Sequence, residues 1–200
     1  LTSMTMSDCS TTGNGGGVAV SSTGPLSMTD VTVTGSQAVN GGGVYSTQTS
    51  GGAVTMLRLT TTSNTASGSG GGVYLGGDVA YTCTDCSVAI NDAGTFGGGV
   101  RVTASAGLTF AGGDVTNNLA ASNDGGGMYA DTGGSVSVNG AAVANNRGHQ
   151  GGAFAINGAV TLSVAGSTVT GNSACLASVI LANSGMTGSG SFTGAAGSIS

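Results

Sequence analysis

The chain has 200 residues, 41 of them glycine and one proline, with no tryptophan, lysine or glutamate and a formal net charge of −5. With 38% hydrophobic and 6% charged residues it is not a charge-rich disordered segment, and with glycine at no regular third position it is not a collagen. Its acidity, without a basic patch, excludes an electrostatic nucleic-acid binder.

In chain order, residues 1–14 read as the second half of a structural unit, because Leu1 to Met6 already lie in a strand pattern. Gly15-Gly16-Gly17-Val18 opens the first full unit. The same opening returns at Gly41-Gly42-Gly43-Val44, Gly70-Gly71-Gly72-Val73, Gly97-Gly98-Gly99-Val100, Gly125-Gly126-Gly127-Met128 and Gly151-Gly152-Ala153-Phe154. The apolar residues that close these openings are 26 to 29 positions apart, a spread narrow enough to require a repeated unit. Residues 177–200 form a degenerate last unit rich in Gly, Ser and Ala.

Within each unit a short strand follows the glycines, a Gly- or Ser-containing turn follows that, and a second strand comes next, as in Val54-Thr55-Met56-Leu57 or Val136-Ser137-Val138. A third strand ends in Val-x-x-Asn, from Val88 to Asn91, Val115 to Asn118, Val143 to Asn146 and Val169 to Asn172. Earlier units keep the shape without the amide, at Val33 to Ser36 and Leu59 to Thr62. β-branched residues and glycine at this density disfavour helix. Three short strands per unit fit one turn of a parallel β-helix, in which each strand pairs with its counterpart one turn away. The expected fold is all-β: one solenoid domain over residues 1–200, of about seven coils of 26–29 residues.

Stacking gives each repeated position a role. Val18, Val44, Val73, Val100, Met128 and Phe154 form one inward column, and Val33, Leu59, Val88, Val115, Val143 and Val169 a second. Asn91, Asn118, Asn146 and Asn172 fall at a corner, where stacked amides hydrogen-bond along the axis.

The pairing of Gly-Gly-Gly/Ala-apolar with apolar-x-x-Asn, from about Gly15 to Asn172, resembles the repeat of the chlamydial polymorphic outer membrane proteins, whose motifs are Gly-Gly-Ala-Ile and Phe-x-x-Asn. Here Val mostly replaces Phe, and Gly mostly replaces Ala. The resemblance implies a right-handed parallel β-helix displayed on a cell surface, often adhesive.

Both ends read as uncovered strand edges, so the chain is expected to be a segment of a longer protein or a filament protomer. No signal peptide or membrane-spanning run is evident in the sequence, and no membrane insertion is expected within it. Cys83 and Cys86 sit at the junction of a second and third strand, where a disulfide across a tight turn would indicate an oxidising compartment. Aligning Asp8-Cys9-Ser10 with Asp85-Cys86-Ser87 puts Cys9 in the Cys86 column, about three rungs away and out of disulfide range.

Chemistry-bearing side chains are few: eight Asp, Arg58, Arg101, Arg147 and His149. Asp124, Arg147 and His149 could meet at one turn, but nothing marks a catalytic, cofactor-binding or metal-ligating set, and no cofactor is expected. If the residue after the glycines points inward, the next points outward. That places Ala19, Tyr45, Tyr74, Arg101, Tyr129 and Ala155 in one exposed column, of which Tyr45, Tyr74, Arg101 and Tyr129 form a candidate contact ladder for glycans or other protein chains. The expected function is a non-catalytic structural or adhesive solenoid, extracellular or on a cell surface. The alternatives are a carbohydrate-active β-helix enzyme and an ice-binding solenoid, whose threonine rows would be Thr32, Thr34, Thr60, Thr116, Thr168 and Thr170, broken at Ser87, Ala89, Ala142 and Ala144.

Overall fold

The computed structural model describes residues 1–50, 52–131, 133–176, 180–182 and 186–193, with side chains described up to residue 176. Part of the degenerate last unit therefore lies outside the described residues. The described chain is all-β, and its strand pairings are parallel and join residues one turn apart. Three sheets run along the axis.

The post-glycine strands, including Val18–Val20, Val44–Gln48, Val73–Gly77, Val100–Val102, Met128–Asp131 and Phe154–Asn157, stack into a 7-stranded sheet. The expected second and third strands share one 12-stranded sheet rather than forming separate walls. In Leu26–Thr34 and Thr161–Thr170 the two are continuous. A third, 6-stranded sheet comes from two-residue strands just after the Asn corner, such as Thr65–Ala66 and Asp92–Ala93.

Left-handed residues make the corners. One column is Gly15, Gly41, Gly70, Gly97, Gly125 and Gly151, with φ between 59° and 72°. A second, which bends the large sheet, includes Asp30 (φ 55°), Arg58 (50°), Asp85 (51°) and Gly112 (69°). A third immediately precedes the Asn corner: Gly35 (63°), Ser63 (56°), Ile90 (58°), Asn117 (55°), Asn145 (56°) and Gly171 (64°). Glycine is obligatory only in the first column. A Cβ on Gly125 would lie 2.5 Å from the Met128 carbonyl oxygen and 2.8 Å from the Tyr129 Cβ.

Val18, Val44, Val73, Val100, Met128 and Phe154 form the expected inward column. The second column departs at one place. Val33 pairs with Thr61, and Thr61 with Val88, so Thr61 occupies the position expected for Leu59. Leu59 is still fully buried, but at the bend beside Cys86. The core is continuous, from Val18 at one end to Val169 at the other.

The register also places Asn64, not Thr62, at the corner. Ser36 donates its N–H to the Asn64 Oδ1 at 2.9 Å, and Asn64 donates both N–H and Nδ2 to the Asn91 Oδ1 at 3.0 Å. The same double donation links Asn91 to Asn118, Asn118 to Asn146 and Asn146 to Asn172. The other Nδ2 proton bonds a carbonyl one coil back, as from Asn118 to Val88 at 2.9 Å. Each amide thus ties three coils together while satisfying a buried N–H and a buried C=O. The ladder also explains the third glycine of the four middle runs, Gly43, Gly72, Gly99 and Gly127, since a Cβ on Gly99 would lie 3.0 Å from the Asn118 Nδ2 and 2.7 Å from the Gly127 carbonyl oxygen.

Cys83 and Cys86 form a disulfide across the bend at Asp85, with Cα atoms 5.8 Å apart and both residues buried. Cys9 and Cys175 are free. Cys9 does not share the Cys86 column: its N–H approaches the Ser36 Oγ and its carbonyl accepts from Gln37, so it stacks on Ser36 in the Asn corner. Likewise Asp8 stacks on Gly35 rather than sharing the Asp30 and Asp85 column.

Candidate functional site

The outward column has the expected register. Ala19 pairs with Tyr45, Tyr45 with Tyr74, Tyr74 with Arg101, Arg101 with Tyr129, and Tyr129 with Ala155. The rings of Tyr45 and Tyr74 stack at 5.0 Å with 26° between their planes. The expectation that the column is exposed is corrected, because Tyr129 is only 4% and Ala155 only 1% exposed, while Tyr45, Tyr74 and Arg101 are half-buried.

The residue before each glycine run supplies part of the cover. Left-handed glycines turn the chain so sharply that this residue folds back toward the outward column. Phe96, Asp124 and Gln150 stack in successive coils at that position, because Gly70, Gly97 and Gly125 donate to their carbonyl oxygens. The Phe96 ring meets the Tyr129 ring at 4.5 Å and 44°. The Arg101 guanidinium lies over both, 4.9 Å from the Phe96 centroid and 4.6 Å from that of Tyr129. Its Nη2 donates to the Asp131 carboxylate at 2.8 Å, with the two side chains 12% and 17% exposed.

These contacts fix the ladder electrostatically. Burial raises the Tyr129 phenol above its usual range, opposed by a hydrogen bond with the Asn157 side chain. Tyr74 is raised by burial too, opposed by the Arg101 charge and by a bond with Thr103. Both phenols stay neutral at physiological pH, which preserves their hydroxyls as hydrogen-bonding groups.

Beside Tyr129 lies a hollow of about 330 Å³, lined by Phe96, Asn123, Asp124, Tyr129, Gln150, Ala155, Ile156 and Asn157. Its origin is in the register, for the rung after Tyr129 carries Ala155 and the aromatic column drops to a methyl group. Burial raises the Asp124 carboxyl, while a Gln150 backbone hydrogen bond and the nearby His149 oppose the rise. A smaller depression of about 180 Å³ lies around Leu119, Ala120, Ala121, Arg147, Gly148, His149 and Cys175. Asp124 and His149 are therefore neighbours, but Arg147 lines a different depression from Asp124, so the three do not converge on one cavity.

A second ion pair runs along the axis. Arg58 grips Asp30 through two bonds, 2.6 and 2.8 Å long, on an exposed face, and this pairing holds the Asp30 carboxyl below its usual range. Among the described residues no group of three or more His, Cys, Asp or Glu side chains could hold a metal ion. No helix among them is long and apolar enough to cross a membrane.

The register also exposes a row of hydroxyls on the second strands that the third-strand threonine rows do not include. Ser27, Thr55, Thr82, Thr109, Ser137 and Ser163 pair in succession along the second strands, pointing outward as an unbroken hydroxyl column. The signal was present as a Ser or Thr flanked by two apolar residues in each unit. The third-strand rows are broken as expected, since Thr60 pairs with Ser87 and Asp114 with Ala142.

Parallel strands paired one turn apart, three axial sheets and continuous inward columns define a parallel β-solenoid. A family model for the right-handed β-helix region matches residues 17–192, and the chain belongs to that family. No curated protein and no solved structure matches it.

Proposed function

We propose that this solenoid is a non-catalytic contact element of an extracellular structure or cell surface, of the polymorphic outer membrane protein type, which meets glycans or other protein chains through its outward aromatic column. The observation that carries this reading is the ladder itself: Tyr45, Tyr74, Arg101 and Tyr129 occupy four successive rungs in register. Rungs about 4.8 Å apart give a rigid, linear array of rings, and rigid aromatic groups supply contact area at low entropic cost.

The distribution of charge supports contact over turnover. Arg58 and Arg101 are held by Asp30 and Asp131, and Asp124 lines the larger hollow without a second carboxylate among its lining residues. A glycosidase of the usual kind needs two carboxyl groups facing one bond. The Cys83 and Cys86 disulfide supports an oxidising compartment. The localisation is tested by applying an antibody against the purified chain to intact, unpermeabilised source cells and to spent medium. Labelling of either is expected, and signal confined to lysed cells would contradict the reading.

One observation favours ice binding as a second reading, namely the unbroken hydroxyl row from Ser27 to Ser163 on a parallel sheet. A thermal hysteresis measurement decides it: activity lost in Thr82→Tyr would establish the row as the ice face, and no hysteresis removes this reading.

A further inference from the structure

We infer that the hollow beneath Tyr129 is a binding site for a single uncharged sugar ring, the terminal or side-branch residue of a surface glycan. The inference rests on the contact reading above and gives that face its ligand class.

Three features of the hollow select a neutral polyol. The first is shape: 330 Å³ stands at the small end of small-molecule pockets, which run from about 300 to 1,000 Å³, and has room for one ring. The step from Tyr129 to Ala155 supplies that room. The second is composition. Phe96, half-buried, offers aromatic surface for the C–H face of a pyranose, backed by Tyr129, which is only 4% exposed, while Asn123, Asp124 and Gln150 bring amide and carboxylate groups to the lining. Such groups donate to and accept from adjacent hydroxyls, which are themselves both donor and acceptor. The third is charge. Arg101, over the Phe96 and Tyr129 rings, is engaged by Asp131, and Asp124 is acidic, so phosphate and carboxylate ligands are disfavoured.

The site is preorganised by the solenoid. Phe96, Asp124 and Gln150 come from the same position of three successive coils. The Asp124 carboxylate is held by the Gln150 backbone, and the Tyr129 hydroxyl by Asn157. Groups fixed this way lose little freedom on binding.

The test is a titration of the isotopically labelled chain with the methyl glycosides of glucose, galactose and N-acetylglucosamine, following the side-chain amide resonances of Asn123, Gln150 and Asn157. At least one glycoside is expected to shift them with a dissociation constant of about 1 mM. Ala155→Tyr, which extends the ladder with a residue the column already accepts at Tyr45, Tyr74 and Tyr129, fills the hollow and should weaken binding at least about tenfold. Gln150→Ala should weaken it similarly, and Thr65→Ala, exposed on the 6-stranded sheet, should leave it unchanged. The inference is overturned if no glycoside shifts the amides, or if the shifts survive in Ala155→Tyr. Binding of the intact chain to source cells is measured in parallel. Its persistence without glycoside shifts would remove the sugar site and leave the contact reading standing, and its loss as well would remove both.

Discussion

Asn91 donates both its backbone N–H and its side-chain Nδ2 to the single Oδ1 of Asn118, each at 3.0 Å. This double donation is the unit from which the corner ladder is built, and both residues are 1% exposed. Truncation at one rung therefore strands groups in the coil before it. Asn118→Ala would deprive the Asn91 N–H and Nδ2 of their shared acceptor and the Val88 carbonyl of its side-chain donor, while the Asn146 Oδ1 keeps the backbone N–H of residue 118. With each buried unsatisfied group costing about 1–3 kcal/mol, a loss of at least 3 kcal/mol is expected in urea denaturation, with the m-value unchanged.

Ile90 holds a left-handed conformation (φ 58°) with a β-branched side chain that is 59% exposed. The equivalent corners carry Ser63, Asn117 and Asn145, residue types that tolerate this region better. Ile90→Asn removes the strain and an exposed apolar group without touching a core contact. It should stabilise the fold by about 1 kcal/mol, measured by the shift in denaturation midpoint.

The Cys83 and Cys86 bridge closes only a short loop, with a sequence separation of 3. Loop-closure entropy for so small a ring gives about 2 kcal/mol. Alkylation before reduction should modify only Cys9 and Cys175, the two free cysteines. After reduction the melting temperature should fall while the far-ultraviolet spectrum remains that of a β-solenoid.

Burial raises the Asp92 carboxyl above its usual 3.8. The folded state thus holds the proton more tightly than the unfolded state, and the charge is what destabilises. This contribution to stability is fully present below pH 3.8 and is lost as pH rises through the folded-state value. Asp92→Asn should abolish that loss, raising the melting temperature at pH 7 and flattening its decline as pH rises from 3.8 through the folded-state value. Differential scanning calorimetry at a series of pH values checks both.

Most of the fold was legible because glycine marks one corner of every coil, a position where a Cβ would collide with backbone. Counting from those glycines was enough to align Tyr45, Tyr74, Arg101 and Tyr129 correctly. Counting failed where side-chain identity was ambiguous. Thr61 fills an inward site where the repeat pattern favours an apolar residue such as Leu59, although Asn64 stands 27 residues before Asn91 and carries the true register. Asp-Cys-Ser occurs at two different corners, because Asp8 (φ 54°) and Asp85 (φ 51°) both serve as left-handed residues. Cys9 was therefore misplaced. The cover over the ladder was not legible at all: Phe96 precedes a glycine run and reads as loop, and only the left-handed turn at Gly97 brings its ring onto Tyr129.

The central claim, contact without turnover, is tested most directly by mixing the purified chain with soluble cell-surface polysaccharide and measuring, on the same sample, bound protein by sedimentation and released reducing or unsaturated ends. Saturable binding is expected, falling at least about tenfold when Tyr45 and Tyr74 are both changed to Ala, with no ends released over many hours. Release of ends by the wild-type chain, abolished in Asp124→Asn, would contradict that claim.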